Sequence, residues 1–299
     1  MSGDDKIVSL AQALGPFPDA RVLLDRYGLR AKKQFGQNFL LSERALRAIA
    51  DAVVASDDDW IVEIGAGLGT LTARLVERVT AGKVIALDSD PDMIRVLRAE
   101  LGTVDNLDIE QVDALRYDLR MVAKWSGQSI AVCGNLPYHI ASQLLFKVIE
   151  ARDVVRVAVM MIQKEMADRI VAKPGTKEYG AIGVMLRTYA DITTVIRVGA
   201  SSFLPPPKID STVIKMVPLR EPRAPIADHE HYSAVVHAAF GQRRKTLRNA
   251  LRARWPEQDV NTALSAAEID GMRRGETLEI AEFAALAAAL VDKSDSVPR

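Results

Sequence analysis

One cysteine in 299 residues, Cys133, excludes an internal disulfide framework and fits a reducing compartment. It lies in an apolar run, where a buried structural thiol is expected rather than a nucleophile. Four scattered histidines and one thiol make no metal-ligand set; His229 and His231, two apart, read as part of a solvated linker. Neither charge is in excess, with 39 basic and 39 acidic side chains, so any electrostatic footing for a polyanion has to be local. No apolar run reaches the roughly 18 residues of a membrane helix, and the polar start at Met1 to Lys6 is no signal peptide. A cytoplasmic protein without a membrane partner is expected. No internal repeat or low-complexity tract breaks the chain.

The 48% apolar content supports a substantial core, and the length suits two domains. Residues 1–28 read as an N-terminal extension, with a helix near Ile7 to Leu14 and another from Arg21 to about Gly28. Ser42 is placed to cap a helix over 43–54. Asp57 to Asp59 read as an exposed acidic turn. From Trp60 onward, short apolar strands alternate with amphipathic helices: strands at 60–64, 83–87, 107–112, 130–133 and 155–162. Such alternation implies an α/β fold with a mostly parallel sheet, residues 29–220 forming a Rossmann-like domain. Two further strands are expected at 192–198 and 212–217. A proline-rich, charged stretch at 221–225 reads as a linker to a smaller all-helical domain, 221–299, with helices at 232–240, 245–255, 261–264 and 280–291. Residues 294–299 read as a disordered tail.

Ligands in parallel sheets sit at the carboxyl ends of the strands, and Gly65, Asp88, Asp113 and Asn135 all fall at such ends. Gly65, Gly67 and Gly69 form a turn that lets backbone approach a ligand; a turn with no ligand remains open. Asp88, 23 residues past Gly65, can accept both hydroxyls of a ribose or cap the helix that starts at Pro91. Asp113 can take an adenine amino group or serve as a turn residue. Asn135-Leu136-Pro137-Tyr138, between a strand and a helix, offers an amide oxygen, free carbonyls and an aromatic face. A nucleoside cofactor beside an amino-binding loop points to methyl transfer from S-adenosylmethionine to an exocyclic nitrogen. Tyr138 can stack on a flipped-out base. Phe203, in a stiff proline loop, either closes the other face of that base or anchors the loop in the core.

Several ordered motifs carry a resemblance. Gly36-Gln37-Asn38-Phe39-Leu40, Glu63 to Gly69, Asn135 to Tyr138, Gln163 to Ala167, Tyr179-Gly180, Phe203 with Pro205 to Ser211, and Ala239 to Asn249 together resemble the ribosomal RNA small-subunit adenine N6,N6-dimethyltransferase family over residues 30–290. The resemblance implies a Rossmann-like S-adenosylmethionine-dependent methyltransferase domain. It implies that Asn38 and Leu40 hold the methionine part with Gly65 nearby, that Asp88 binds the ribose and Asp113 the adenine, and that Asn135 serves cofactor and target. Asn135, Leu136, Pro137, Tyr138 and Phe203 form the implied catalytic set, with no metal. Asp88 stands where the family often has Glu, Ala66 where it often has Pro, and Gly199-Ala200 where it often has Pro-Pro.

Gly241 to Arg254 carries Arg243, Arg244, Lys245, Arg248, Arg252 and Arg254 and no acid. By itself this is a solvated helix face; with the resemblance it becomes a phosphate-binding segment, with Arg243, Arg244, Lys245 and Arg248 as expected RNA contacts. Lys32 and Lys33 make a smaller basic cluster. The implied function is dimethylation of two adjacent adenines in the 3′-terminal hairpin of 16S rRNA, within a pre-30S or 30S particle, by a monomer. Three alternatives are a large-subunit rRNA adenine dimethylase giving macrolide resistance, against which the 240–249 signature argues, an rRNA-binding assembly factor in which methylation is secondary, and a DNA adenine methylase.

Overall fold

The strands form where β-branched and aliphatic residues run without a polar break. Ile61, Val62, Ile85, Ala131, Val132, Val159 and Met160 are each at most 1% exposed, the pattern of strands covered on both faces. The computed structural model describes residues 17–242 and 244–290, and of Lys33 the backbone alone. The helix expected near Ile7, Arg243 and the 294–299 tail lie outside the described residues.

In chain order the elements are α1 (Ala20–Arg26), β1 (Phe39–Leu40), α2 (Glu43–Val53), β2 (Trp60–Ile64), α3 (Thr70–Val76), β3 (Lys83–Asp88), α4 (Pro91–Leu101), β4 (Leu107–Gln111), α5 (Leu119–Ser126), β5 (Ile130–Asn135), α6 (Ala141–Glu150) and β6 (Val155–Gln163). Then follow α7 (Lys164–Val171), α8 (Ala181–Tyr189), β7 (Ala190–Val198), β8 (Phe203–Leu204), β9 (Ser211–Pro218), α9 (His229–Gly241), α10 (Leu247–Leu251), α11 (Glu257–Ala266) and α12 (Ile280–Ala289). The sheet has seven strands in the order β4-β3-β2-β5-β6-β9-β7. The first five run parallel and β9 joins β6 antiparallel. The chain steps outward from β2 to β4, then returns to lay β5 beside β2. That reversal opens a crevice at the carboxyl ends of β2 and β5, where ligands bind in such sheets.

Two compact units result: residues 17–167 with Thr193–Pro218, and Asp168–Ile192 with 219–290. The division is therefore not a single cut near 220. Residues 168–192, read from the sequence as part of the larger domain, pack with the later helices because their apolar side chains find partners there. Tyr179, 2% exposed, donates its hydroxyl to the Leu278 carbonyl at 2.9 Å and meets Phe240 edge-on at 5.7 Å. Thr188 and Tyr232 share a buried hydroxyl contact at 2.9 Å.

Local side-chain caps account for several helix starts. Ser42 Oγ accepts from the Ala45 N–H at 3.3 Å, and Asp228 caps α9 through the N–H groups of Glu230 and His231. That cap corrects the expectation at His229 and His231: both lie inside α9, not in a loop. Asp59 also departs from expectation. It is 7% exposed and holds the Arg156 guanidinium with both oxygens, at 3.0 and 2.9 Å, rather than lying in an exposed turn. The helix expected over 245–255 is only the five residues of α10.

The two strands at the crevice leave no room for a side chain at Gly134, whose added Cβ would sit 2.2 Å from the Ile64 carbonyl oxygen. Gly134→Ala is expected to lower stability by about 3 kcal/mol, visible as a reduced midpoint in thermal or urea unfolding followed by circular dichroism.

Candidate functional site

Register places the crevice residues. Ile64 pairs with Gly134 across β2 and β5, and Asp88 with Gln111 across β3 and β4, so the next residues of each strand emerge on one rim. The Gly65 and Ala66 N–H groups both donate to the Leu87 carbonyl, at 2.9 and 3.0 Å, folding the turn back over the sheet. Gly65 and Gly67 have φ of 71° and 57°, a region costly for other residues. A Cβ on Gly67 would meet the Phe39 ring at an ordinary contact distance of 3.5 Å, so it is the backbone conformation and not space that favours glycine there.

One pocket is lined by Asn38, Leu40, Gly65, Asp88, Asp113, Asn135, Leu136, Pro137 and Tyr138 together with Gln37 and Glu63. Every expected cofactor residue thus faces the same cavity, as do four of the five in the expected catalytic set. Phe203 does not. It is 2% exposed and belongs to the main core with Leu40, which corrects the stacking expectation in favour of the core anchor. The pleat explains this. In the antiparallel β1–β8 pair Leu40 lies opposite Phe203 and Phe39 opposite Leu204. Opposed residues share a face, so Leu40 and Phe203 enter the main core. Phe39 and Leu204 turn to a second cluster with Ala20, Leu23, Leu24 and Met93. That cluster uses α1, so the part of the N-terminal extension from residue 17 on buttresses the pocket loop.

The Asn135 side-chain N–H donates to the backbone carbonyl of Asn38 at 3.0 Å. This orients the amide with its nitrogen toward residue 38 and leaves Oδ1 without a partner among the described residues. The Asn38 side chain is itself held by donating to the Gly36 carbonyl at 3.0 Å. Leu136, 1% exposed, donates its N–H to the Met161 carbonyl at 3.1 Å, so the loop peptide is fixed from the neighbouring strand. The Tyr138 hydroxyl lies 3.2 Å from Ser211 Oγ, a fully buried group at the start of β9. Sequence reasoning does not mark Ser211 as a site residue; its only signal is its place at the end of the proline-loop motif.

Three carboxyls sit near this rim in three different states. Asp88 accepts from the Gly67 N–H at 2.8 Å and the Asp90 N–H at 2.9 Å. Burial raises its pKa, and those backbone donors partly oppose the rise. A carboxylate has about four acceptor positions, so hydroxyls of a ribose can still be received. The helix cap that sequence offers as the other role for Asp88 belongs to Asp90, which accepts from the Asp92 N–H. Asp113 is exposed and accepts from the Leu115 N–H at 3.0 Å, so its turn role is real and it also lines the pocket. Glu63, whose site role the sequence does not reveal, is 2% exposed and receives the Thr72 hydroxyl at 2.6 Å. Burial is the main cause that pushes its pKa up to about 8.

In the second unit, Arg244 and Lys245 are exposed and Arg248 is half-buried, with a buried Nε that has no hydrogen-bond partner. Arg252 is paired with Glu257 at 2.8 Å and the Arg254 guanidinium lies 5.1 Å over the Trp255 ring. Of the segment's described cations only Arg252 is thus committed to an ion pair, while Arg254 stays exposed and charged. Lys32 is likewise committed, at 2.7 Å to Asp90 and 2.6 Å to Asp92, and does not form a free basic cluster. No helix among the described residues is long and apolar enough to cross a membrane.

Residues 28–290 match the family described as Ribosomal RNA adenine dimethylase. The ribosomal RNA small subunit methyltransferase A of Anaeromyxobacter sp. (strain K) is 43% identical over 281 residues, covering 90% of this chain and 97% of its own. Its counterpart in Geobacillus thermodenitrificans (strain NG80-2) is 40% identical over 277 residues, covering 90% and 94%. Among solved structures, a dimethyladenosine transferase from Plasmodium falciparum matches with a TM-score of 0.67 at 26% identity, covering 83% of this chain and 95% of its own. The 23S rRNA methyltransferase ErmE matches with a TM-score of 0.65 at 25% identity, covering 85% and 99%.

Glu63 generates a pH prediction. Its unfolded carboxyl has the ordinary value of 4.5 and its folded one about 8. Between those values the unfolded chain has shed a proton that the folded chain keeps, so stability is highest below the window and falls as pH rises through it. Glu63→Gln, which keeps a neutral group there, should flatten this decline in urea titrations run from pH 5 to 8.

Proposed function

Because this chain belongs to the ribosomal RNA adenine dimethylase family, we propose that it moves methyl groups from S-adenosylmethionine to N6 of two adjacent adenines, two onto each, in the 3′-terminal hairpin of 16S rRNA. It acts as a monomer on the 30S particle or its precursor, during small-subunit assembly. Relatives at 40 to 43% identity that cover 90% of the chain and are named for the small subunit favour this target over the large-subunit one.

The observation that carries the reading is the Asn135 amide, held by the Asn38 carbonyl so that its oxygen is the unpartnered end at the pocket. Adenine N6 is a poor nucleophile because its lone pair is delocalised into the ring. Accepting N6–H bonds at Asn135 Oδ1 and the Leu136 carbonyl draws that nitrogen out of conjugation, aims it, and stabilises the positive charge that develops on it. Tyr138, braced by Ser211, stacks on the base. Bound S-adenosylmethionine supplies an electrophilic methyl on a sulfonium. Asn38 and Leu40 flank its methionine part, the Gly65 turn gives the backbone close approach, Asp88 receives the ribose hydroxyls, and Asp113 takes the adenine amino group. The N6 proton leaves to water after the methyl arrives, so the site needs no strong base. After the first transfer one N–H remains, and one of the two acceptors suffices for the second. Arg244, Lys245 and Arg248, with Arg243, hold rRNA phosphates.

The test incubates the protein with radiolabelled S-adenosylmethionine and 30S particles from a strain lacking the modification, and maps the product by mass. Dimethyladenine in the 3′-terminal hairpin is expected, and its absence sinks the proposal. Asn135→Ala should lower the transfer rate by on the order of 10²-fold with an unchanged unfolding midpoint. Replacing Arg244 and Lys245 by Ala should weaken particle binding and reduce the slope of log affinity against log salt by about 0.7 to 0.9 for each phosphate no longer neutralised, measured by filter binding.

A further inference from the structure

Asp90 has a fully buried carboxylate, and both of its oxygens are spent on the loop that precedes Asn38. Oδ1 receives Lys32 Nζ at 2.7 Å and Oδ2 receives Gln37 Nε2 at 2.7 Å. Gln37 completes the ring by accepting the Lys32 N–H at 2.9 Å through its own Oε1. The same aspartate donates its backbone N–H to Asp88 Oδ1 at 2.9 Å. A continuous path thus runs from Asp88, through Asp90, to Gln37. The next residue is Asn38, whose carbonyl holds the Asn135 amide at 3.0 Å. Nothing in the chemistry assigned above uses Asp90, Lys32 or Gln37.

We propose that Asp90 is a positioning residue for methyl transfer: by clasping Lys32 and Gln37 it holds the Asn38 carbonyl, and through it the Asn135 amide, in fixed relation to Asp88. This rests on the methyltransferase reading and deepens it. The clasp joins the residue proposed for the cofactor ribose to the residue proposed for the target nitrogen, so the two reactants are held to one frame. A buried acid with a charge-assisted and an amide donor is a stiffer tie than a solvated ion pair, because the carboxylate itself is out of reach of water even though Lys32 is partly exposed. The competing role is local. Asp90 also caps α4 by accepting the Asp92 N–H at 3.0 Å, and an N-cap alone explains an aspartate at that position.

Two single substitutions separate the roles. Asp90→Ser keeps a good cap and cannot span Lys32 and Gln37. Gln37→Ala leaves the cap untouched and removes one arm of the clasp. Steady-state methylation of the unmodified 30S particles, with both substrates varied, is measured for each, for the pair combined, for Asp90→Asn alone, and for Asp90→Asn with Gln37→Glu, which reverses the hydrogen bond between the two side chains. Each single variant should lose kcat by about 10-fold or more. The combined Ser and Ala variant should be no worse than the poorer single one, and the reversed pair should recover activity over Asp90→Asn alone. If wild type methylates and Gln37→Ala stays within about twofold of it, or the two losses simply multiply, the clasp is only a cap and the proposal is overturned. If Asp90→Ser does not fold, Gln37→Ala and the reversed pair still decide. If wild type transfers no methyl, the functional reading fails first and the proposal falls with it.

Discussion

The hydrogen bond from the Asn135 amide to the Asn38 carbonyl is the constraint on which the site depends. It joins residues 97 apart in sequence and determines which end of an amide faces the pocket. Turned the other way, the same side chain would present a donor to an amino group, which is itself a donor, and the loop could not hold an exocyclic nitrogen. The bond forms because both partners are placed by separate means. Asn135 ends a strand buried between two parallel neighbours. Asn38 precedes a two-residue strand tied to β8 by pairing and packed beneath by α1. Core packing on both sides therefore fixes one polar contact at the rim.

Around that contact the protein keeps three acids in a small volume by treating each differently. Glu63 is left almost unpaired in the sheet and stays protonated near neutrality. Asp88 is stabilised by peptide N–H groups while keeping acceptor capacity for a ligand. Asp90 is neutralised by Lys32. Three ionised carboxylates with no such provision would repel one another across the turn. The arrangement leaves Asp88 acceptor capacity for a polar ligand, although the buried Asp90 carboxylate beside it adds to the rise in its pKa that burial mainly causes.

The alternation of apolar strands and amphipathic helices was legible in the sequence, and with it the rim where Gly65, Asp88, Asp113 and Asn135 meet. Those positions follow from a local rule, that a residue just past a parallel strand faces the ligand end. What was not legible depends on partners far away in the chain. Phe203 sits in a strand of two residues, too short for a period to show which face it takes. Lys32 and Arg252 read as free cations until Asp90, Asp92 and Glu257 are seen beside them. Asp59 reads as a solvated turn until Arg156 arrives from β6. Residues 168–192 follow β6 directly, so only their packing with Phe240 and Tyr232 reveals the unit they join.

The chemistry of the pocket cannot by itself choose an rRNA. An amide oxygen, a loop carbonyl and an aromatic ring can receive an amino-bearing base from any source, and the fold is similar to enzymes named for different rRNA targets. Selection must therefore come from phosphate and shape contacts made outside the pocket. After internal ion pairs are removed, the described residues of the basic segment leave Arg244, Lys245 and Arg254 exposed, with Arg248 half-buried. A local set of charges of this kind contributes affinity only where a polyanion places phosphates against it. The balanced net charge of the chain serves the same end, because a strongly basic surface would retain the enzyme on any polyanion.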